Sequence, residues 1–375
     1  MHRRDFIQCV GGGVIFAATA KAAWSAVTGD DVWIAPGQTE PEVRRKALSY
    51  AILAPNPHNM QPWLVDLSTP DEVVLRIDPT RLLPVTDPFD RQITIGCGAF
   101  IELFCLAAGR LGRRVEVSAF PEGEPDGRLD HRPIARMRLS EGATPAPLFS
   151  AITQRRTNRN AHRNAPVSQT QIAELVGAAT TEGLMAGGMV QGEVRDKLRD
   201  LTLKAMLIEQ SDRAANNESA DRTFLGAREV AAHPWGIPIR GGNIEWLIGL
   251  GVVSRDGLKT PGSLAFKGQT DMMRQTANST QAYGWIVSSG NRRVHQIAAG
   301  RAYARFALKA ETLGLAIQPN SQALQEYAAM AGCFRDVHAV LAPKGGRIQM
   351  LARIGYADQV PHAPRRGLDP LIRSA

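Results

Sequence analysis

From residue 42 onward the chain alternates between apolar stripes spaced for helices and short apolar runs spaced for strands. In 42–54, apolar side chains fall at Val43, Ala47, Leu48, Ala51 and Ile52, three and four apart, and the stripe stops before Pro55. Residues 63–67 and 73–77 are β-type runs joined by Ser68-Thr69-Pro70-Asp71, a turn sequence, so a hairpin is expected. The pattern then predicts a long helix over 94–111, closed by Gly112 just past its end, and a further strand over 115–120.

The second half repeats this order. Ser168 and Gln171 have the spacing of a capping box ahead of Ile172, Leu175 and Val176, which marks a helix start. Residues 282–288 read as a strand, 294–313 as a long helix closed by Gly314, and 350–355 as a last strand. The two long helices resemble each other: Cys105-Leu106-Ala107-Ala108-Gly109-Arg110-Leu111-Gly112 matches Ala307-Leu308-Lys309-Ala310-Glu311-Thr312-Leu313-Gly314, with Gly98 and Gly300 at equivalent places upstream. An internal duplication is therefore expected, giving an α+β fold of two pseudo-repeats with a mainly antiparallel central sheet flanked by long helices. The expected division is a linker over 25–39, a first half over 40–145 and a second half over 146–375. An insertion near 211–268, rich in Asn, Gly, Pro and Trp, is long enough to form a lid.

Residues 1–24 have a basic start with Arg3-Arg4-Asp5-Phe6-Ile7, a Gly/Ala-rich apolar middle, and small residues around Ala22 and Ala23. This is the layout of a signal peptide, and the adjacent arginines resemble the twin-arginine export motif. A partner translocase and a periplasmic or otherwise exported location are expected; that route carries folded chains, which suits loading of a cofactor before export. No stable membrane span is expected after this segment.

Composition adds less. The 375 residues are 44% apolar and 21% charged, which is ordinary for a globular chain. The net charge of +8 attracts anions, but the arginines are dispersed without aromatic interleaving, so nucleic acid is not an expected partner. Cys97, Cys105 and Cys333 lack disulfide or metal spacing and read as buried apolar residues, and no metal site is expected.

Four clusters could carry chemistry. Pro55-Asn56-Pro57-His58-Asn59-Met60-Gln61-Pro62-Trp63 leaves a helix and enters a strand; it is either a stiff turn or a loop that presents hydrogen-bonding groups to a flat heteroaromatic ring. Arg155-Arg156-Thr157-Asn158-Arg159 has the chemistry of a phosphate clamp, or is a solvated basic loop. Ile317-Gln318-Pro319-Asn320-Ser321 is a polar turn, and Arg365-Arg366 lies in a Pro/Arg tail.

Together these runs resemble the nitroreductase-like flavoproteins over about residues 42 to 370. The first looks like that family's Pro-Ser-x-x-Asn-x-Gln-Pro-Trp loop, with Asn56 for Ser, and the second like its Arg-Arg-Ser-x-Arg signature, with Thr157 for Ser. Family members place each FMN between the loop of one subunit and the arginines of the other. Here the loop occurs once, in the first half, and the arginines once, in the second, as in a fused dimer that keeps one of two sites. The chain resembles the single-chain, Acg-like branch in this respect. The resemblance implies FMN as cofactor, with its phosphate held by Arg155, Arg156, Thr157, Arg159, Arg365 and Arg366. It implies isoalloxazine or ribityl contacts from Pro55, Asn56, Pro57 and Asn59, and the reactive edge near Pro319, Asn320 and Ser321. Gln61 and Trp63 are expected to brace the loop and core, and no side chain is named as catalytic, because the flavin carries the redox step. The expected activity is two-electron reduction of a small-molecule acceptor such as a nitroaromatic or quinone. The alternatives are a non-catalytic FMN-binding or storage protein with a lid-covered site, and an exported binding protein that has lost flavin.

Overall fold

The computed structural model describes residues 31–373; the twin-arginine run and its cleavage region lie outside them. The first helix is short, α1 (Asp31–Ile34), in the stretch expected to be a linker. It forms because Trp33 finds a buried seat, 2% exposed, with its indole N–H donating to the Ala363 carbonyl.

The first repeat runs α2 (Val43–Ala51), β1 (Trp63–Asp66), β2 (Glu72–Ile77), α3 (Arg91–Arg110), β3 (Arg113–Ala119) and β4 (Ala135–Glu141). α2 starts where the Glu42 carboxylate accepts from the Arg44 and Arg45 backbone N–H groups, the expected N-cap chemistry. α3 begins three residues earlier than its apolar stripe suggests. Its first turn is capped from a distance, by the Asp87 carboxylate on the Gln92 and Ile93 N–H groups at 3.0 and 2.9 Å. By length and composition α3 could cross a membrane, which the apolar pattern had not singled out; 89% of that stretch is buried inside the protein.

The second repeat runs α4 (Gln169–Ala179), β5 (Leu184–Met189), then after an insertion β8 (Ala282–Ser288), α11 (Arg293–Thr312), β9 (Ala316–Pro319) and β10 (Arg347–Gly355). The capping box of Ser168 and Gln171 is present. Two four-stranded antiparallel sheets result, one per repeat, in the orders β1-β2-β4-β3 and β5-β8-β10-β9. Taken element by element these orders are the same, so the duplication read from two helices extends to the whole topology. The expected central sheet is thus divided between the repeats.

The repeats meet along α3 and α11. A Cβ on Gly98 would lie 2.2 Å from the Ile297 carbonyl oxygen and 3.0 Å from the Gly300 Cα; one on Gly300 would lie 1.9 Å from the Ile95 carbonyl oxygen. Ile95 stands to Gly98 as Ile297 stands to Gly300, so equivalent residues contact each other reciprocally, the hallmark of a two-fold relation. Glu102 of α3, 4% exposed, accepts from Arg301 and Arg305 of α11 at 2.8 and 2.7 Å and ties the crossing electrostatically.

The insertion is larger than the 211–268 read from composition. It fills 190–281 between β5 and β8, where the first repeat has only the turn 67–71, and contains α5 (Glu193–Ser211), α6 (Arg213–Asp221), β6 (Thr223–Leu225), α7 (Gly226–Ala232), β7 (Ile237–Ile239), α8 (Asn243–Gly249), α9 (Arg255–Lys259) and α10 (Leu264–Asn278). Helical stripes at both ends had no compositional break to mark them as inserted. Between β9 and β10, α12 (Ala331–Leu341) packs on α5. The tail after β10 returns to the first repeat, where Ile372 bridges Val65 in parallel and the Arg373 N–H donates to the Val65 carbonyl at 2.9 Å.

Candidate functional site

The loop after α2 is backbone-strained. His58, Asn59 and Gln61 have φ of 48°, 53° and 50°, the left-handed region that costs non-glycine residues about 1–3 kcal/mol each and persists only where surroundings impose it. Those surroundings are the insertion and the tail. Asn59 Nδ2 donates to the Gly236 and Pro364 carbonyls at 3.1 and 3.0 Å, and the Gly236 N–H returns a bond to the Asn59 carbonyl at 3.0 Å. Gln61, fully buried, donates from Nε2 to the Pro234 carbonyl at 3.0 Å, while Asn56 Oδ1 accepts from the Gln61 N–H at 2.8 Å. The amide side chains of this loop therefore brace it, Asn56 from within and Asn59 and Gln61 against the insertion and the tail, a role expected for Gln61 and not for the two asparagines. Pro55 and Pro57 flank them, with Pro57 opening the 3-10 turn Pro57–Asn59. Trp63 is fully buried against Phe100, which fits its expected core role.

The loop 155–159 comes to this place from the second repeat. Asn158 anchors it, its N–H donating to the Ile317 carbonyl at 3.0 Å and its Nδ2 to the Asp358 carbonyl at 2.8 Å. Arg155 is 3% exposed; its Nη2 reaches the Leu53 carbonyl at 3.3 Å, its Nη1 lies 3.5 Å from Thr157 Oγ1, and its Nε has no partner. Arg159 differs. Its guanidinium makes no hydrogen bond or ion pair among the described residues, and the residue is exposed, yet enclosure by the surrounding protein still lowers its pKa, with the Tyr303 hydroxyl acting against that fall. A side chain both closely surrounded and accessible faces a concavity. Arg156 turns away, donating to the Gln154 carbonyl at 2.6 Å.

Tyr303 joins these two arginines from α11. Burial raises its hydroxyl pKa and the guanidiniums of Arg155 and Arg159 oppose that rise. Asn320, at the end of β9, is 2% exposed; its N–H donates to the Leu351 carbonyl at 2.8 Å and its Oδ1 has no partner. Pro319 closes the strand by pairing with Ala352, and Ser321 opens the next 3-10 turn.

The tail arginines act on the loop. Arg365, 4% exposed, donates from Nε to the Ile52 carbonyl at 2.9 Å, from Nη2 to the Leu53 and Ala54 carbonyls at 3.2 Å each, and from Nη1 to Asn59 Oδ1 at 2.5 Å. These are the carbonyls of the C-cap residue Ile52 of α2 and of the two residues that follow it, so a residue from the far end of the chain fixes the exit of that helix into the loop. Arg366 is likewise turned to the loop, its N–H on Gln61 Oε1 at 2.8 Å and its Nη1 on the Gln61 carbonyl at 3.4 Å. Trp33 lies under both Arg365 and Arg155, 5.0 and 5.9 Å from the ring centre, and stacks on His362 at 4.3 Å.

Arg155, Arg159, Arg365 and Arg353 form no ion pair with a carboxylate among the described residues, and desolvation lowers the pKa of all four, Arg353 to about 9. Buried cations without an anion, as Arg155, Arg353 and Arg365 are, are costly. The arrangement fits a bound phosphate, whose oxygens would accept from Arg159, from the free Nε of Arg155 and from Thr157. The unmatched Asn320 Oδ1 similarly fits a ring N–H donor. Sequence reading missed Tyr303 and Arg353, which carry no local motif, and Trp33, which lies in an aperiodic stretch; it gave Asn158, inside the arginine run, no role of its own. A shallow groove of about 380 Å³ on the outer face of α5, lined by Asp200, Leu203, Lys204, Leu207, Ile208 and Ser211, is separate from this cluster.

His162, 6% exposed, makes no hydrogen bond from either ring nitrogen, and burial followed by the Arg353 charge pushes its pKa down to about 3. Its unfolded value is about 6.5. The unfolded chain thus binds the proton first on acidification, so this site's stability is complete above pH 6.5 and is lost as pH falls toward 3. Between pH 7 and 5 the loss is about 2 kcal/mol, read as a lower Tm that His162→Phe partly removes.

No family model matches the chain. A Mycobacterium tuberculosis protein named "Putative NAD(P)H nitroreductase Rv3131" is 28% identical over 338 residues, covering 88% of this chain and 91% of that protein. The similarity therefore runs over most of both chains. A second M. tuberculosis protein, "Putative NAD(P)H nitroreductase acg", is 35% identical over 80 residues, 21% of this chain and 24% of the other. Among solved structures, the FMN-dependent nitroreductase NfnB of Mycobacterium smegmatis in complex with NADPH aligns at 17% identity with a TM-score of 0.36, over 60% of this chain and 96% of that one.

Proposed function

We propose that this chain is an exported, FMN-dependent oxidoreductase of nitroreductase type, a fused pseudo-dimer keeping one of two flavin sites, that reduces a nitroaromatic, quinone or similar acceptor. The observation that carries this reading is the free guanidinium of Arg159 beside the buried, anionless Arg155, at the junction of the two repeats. FMN supplies two-electron redox chemistry when bound, accepting and passing a hydride at N5.

The chain's own residues bind and orient. Arg155, Thr157 and Arg159 hold the phosphate by charge-assisted hydrogen bonds. Asn320 Oδ1 accepts from the ring. The loop 55–59 supplies a stiff wall, kept in place by Arg365 and Arg366 rather than by direct contact of those arginines with phosphate. The relatives' printed names add NAD(P)H as the class of electron donor. The twin-arginine run of residues 1–24 supports export of the folded, loaded chain by the twin-arginine translocase.

One observation favours a second reading, storage of flavin without turnover. The insertion bonds directly to the loop through Gly236 and Pro234, which restricts access of a nicotinamide nucleotide. Purification and stopped-flow mixing decide between them. The full-length protein is expected to release FMN on denaturation, and its flavin to bleach on mixing with NADPH. Flavin that stays oxidised under NADPH supports storage, and protein without flavin overturns both readings.

A further inference from the structure

His58 is the residue of the strained loop whose side chain is not used to brace it. Its Nε2 lies 2.9 Å from Ser219 Oγ on α6, and Ser219 Oγ donates to Glu209 Oε1 on α5 at 2.9 Å. Gln325 Nε2 holds the other carboxylate oxygen at 2.9 Å. Glu209 is 9% exposed. Because Ser219 donates to the carboxylate, it must accept from His58, so the imidazole carries its hydrogen on Nε2 and leaves Nδ1 as a bare acceptor. Nδ1 has no partner among the described residues and is not among the buried unmatched atoms, so it faces an accessible space.

The fold assembles this chain of three from separate parts: a loop of the first repeat and two helices of the insertion. The charged groups facing it are Arg159 and Arg222 toward His58, and Glu218 and Asp212 toward the Glu209 end, with the Tyr327 hydroxyl beside them. Burial first, then the two arginines, push His58 down to about 4, while burial raises Glu209. The proton is therefore disfavoured on the imidazole and favoured at the far end. Arg159, the free cation of the proposed phosphate site, is among the charges that act on His58, so the imidazole lies in the neighbourhood of that site.

We propose that His58, Ser219 and Glu209 form a proton relay that delivers a proton to the acceptor reduced in the flavin pocket. The relay rests on the oxidoreductase reading above. In its loaded form Glu209 is a carboxylic acid donating to Ser219 Oγ, Ser219 donates to His58 Nε2, and His58 carries hydrogen on Nδ1. On delivery the Nδ1–H bond breaks and an O–H bond forms on a quinone-type acceptor, which takes its hydride from reduced FMN. Nε2 takes the serine hydrogen, Ser219 takes the carboxyl hydrogen, and Glu209 is left ionised. One proton leaves the relay, a quinone becomes a hydroquinone, and FMN is oxidised. Solvent reprotonates Glu209. Ser219 and Glu209 are positioning residues, since they act through His58.

The test uses FMN-loaded full-length protein with ¹³C-labelled histidine, and the variants Ser219→Ala, Ser219→Thr and Glu209→Gln. In the wild type the His58 resonance is expected to titrate in two steps, one its own and one from Glu209; Glu209→Gln removes the second step. After anaerobic reduction with dithionite, reoxidation by benzoquinone is expected to slow about 100-fold in Ser219→Ala. Ser219→Thr, which keeps the hydroxyl, is expected to recover most of that loss. A single-step His58 titration in the wild type, or Ser219→Ala reoxidising at the wild-type rate, overturns the relay while leaving the FMN reading intact. Preparations without flavin overturn the FMN reading and the relay's role with it.

Discussion

Exchanging Arg155 and Arg159 together for alanine is expected to yield folded protein that no longer holds FMN. Each guanidinium would offer a phosphate a charge-assisted hydrogen bond worth about 1.5–3 kcal/mol, so losing both raises the dissociation constant roughly 10²- to 10⁴-fold. The fold should survive. Arg159 makes no side-chain bond that its removal breaks, and the Leu53 carbonyl that Arg155 reaches is held independently by Arg365 at 3.2 Å. Removing Arg155 also relieves a buried charge that has no anion, so the flavin-free variant should melt within a few degrees of flavin-free wild type. Fluorescence titration of FMN and thermal melts of both proteins measure the two quantities. An unchanged dissociation constant would sink the phosphate assignment.

A methyl group at Gly300 is expected to be the most destabilising small change in the chain. Its Cβ would sit 1.9 Å from the Ile95 carbonyl oxygen and 2.8 Å from its carbonyl carbon. The obstacle is helix backbone, not the flexible end of a side chain, and both helices are buried, so relief requires moving α3 off α11. Overpacking of cores costs about 1–3 kcal/mol where side chains can shift. Here Gly300→Ala should exceed about 3 kcal/mol, seen as a Tm lower by at least roughly 6 °C or as loss of soluble protein. Gly98→Ala should behave alike, since its Cβ meets the Ile297 carbonyl oxygen at 2.2 Å. Gly177 of α4 has nothing within 4 Å, and Gly177→Ala is the control, with an expected gain of about 0.5–1 kcal/mol from helix propensity. If Gly300→Ala melts with the wild type, the close crossing of the repeats is wrong.

The same glycines show how far the sequence reaches. Two matched helices with Gly98 and Gly300 in step were enough to expect a duplication, because a repeated fold repeats its packing constraints along the chain. That the two glycines touch each other was not legible, since spacing within each helix says nothing about which helix it crosses. The insertion shows the converse limit. Its core, 211–268, stood out by Asn, Gly and Pro, but α5 and α10 at its ends carry ordinary helical stripes, and only the missing counterpart to the turn 67–71 identifies them as inserted. β4, β5 and β9 were also not read: β4 alternates clearly and was legible, whereas β5, with its two glycines, and the short β9 carry no strong alternation.

The candidate site divides in the same way. The residue types of the loop 55–63 and of 155–159 are local chemistry, so the sequence by itself determined that this chain carries a stiff Pro/Asn loop, an arginine cluster with a hydroxyl, and their distribution over two halves. Which groups stay free is a property of the assembled protein. Asn59 and Arg365 have equally suitable side chains for a ligand, yet they satisfy each other and nearby backbone carbonyls, while Arg159 and His58 Nδ1 are left open. Ser219 and Glu209 carry no motif and lie far from His58 in sequence. Only tertiary structure brings such a chain together, because hydrogen-bond satisfaction is decided by what packs within 3 Å of an atom, and nothing in a linear spacing records that.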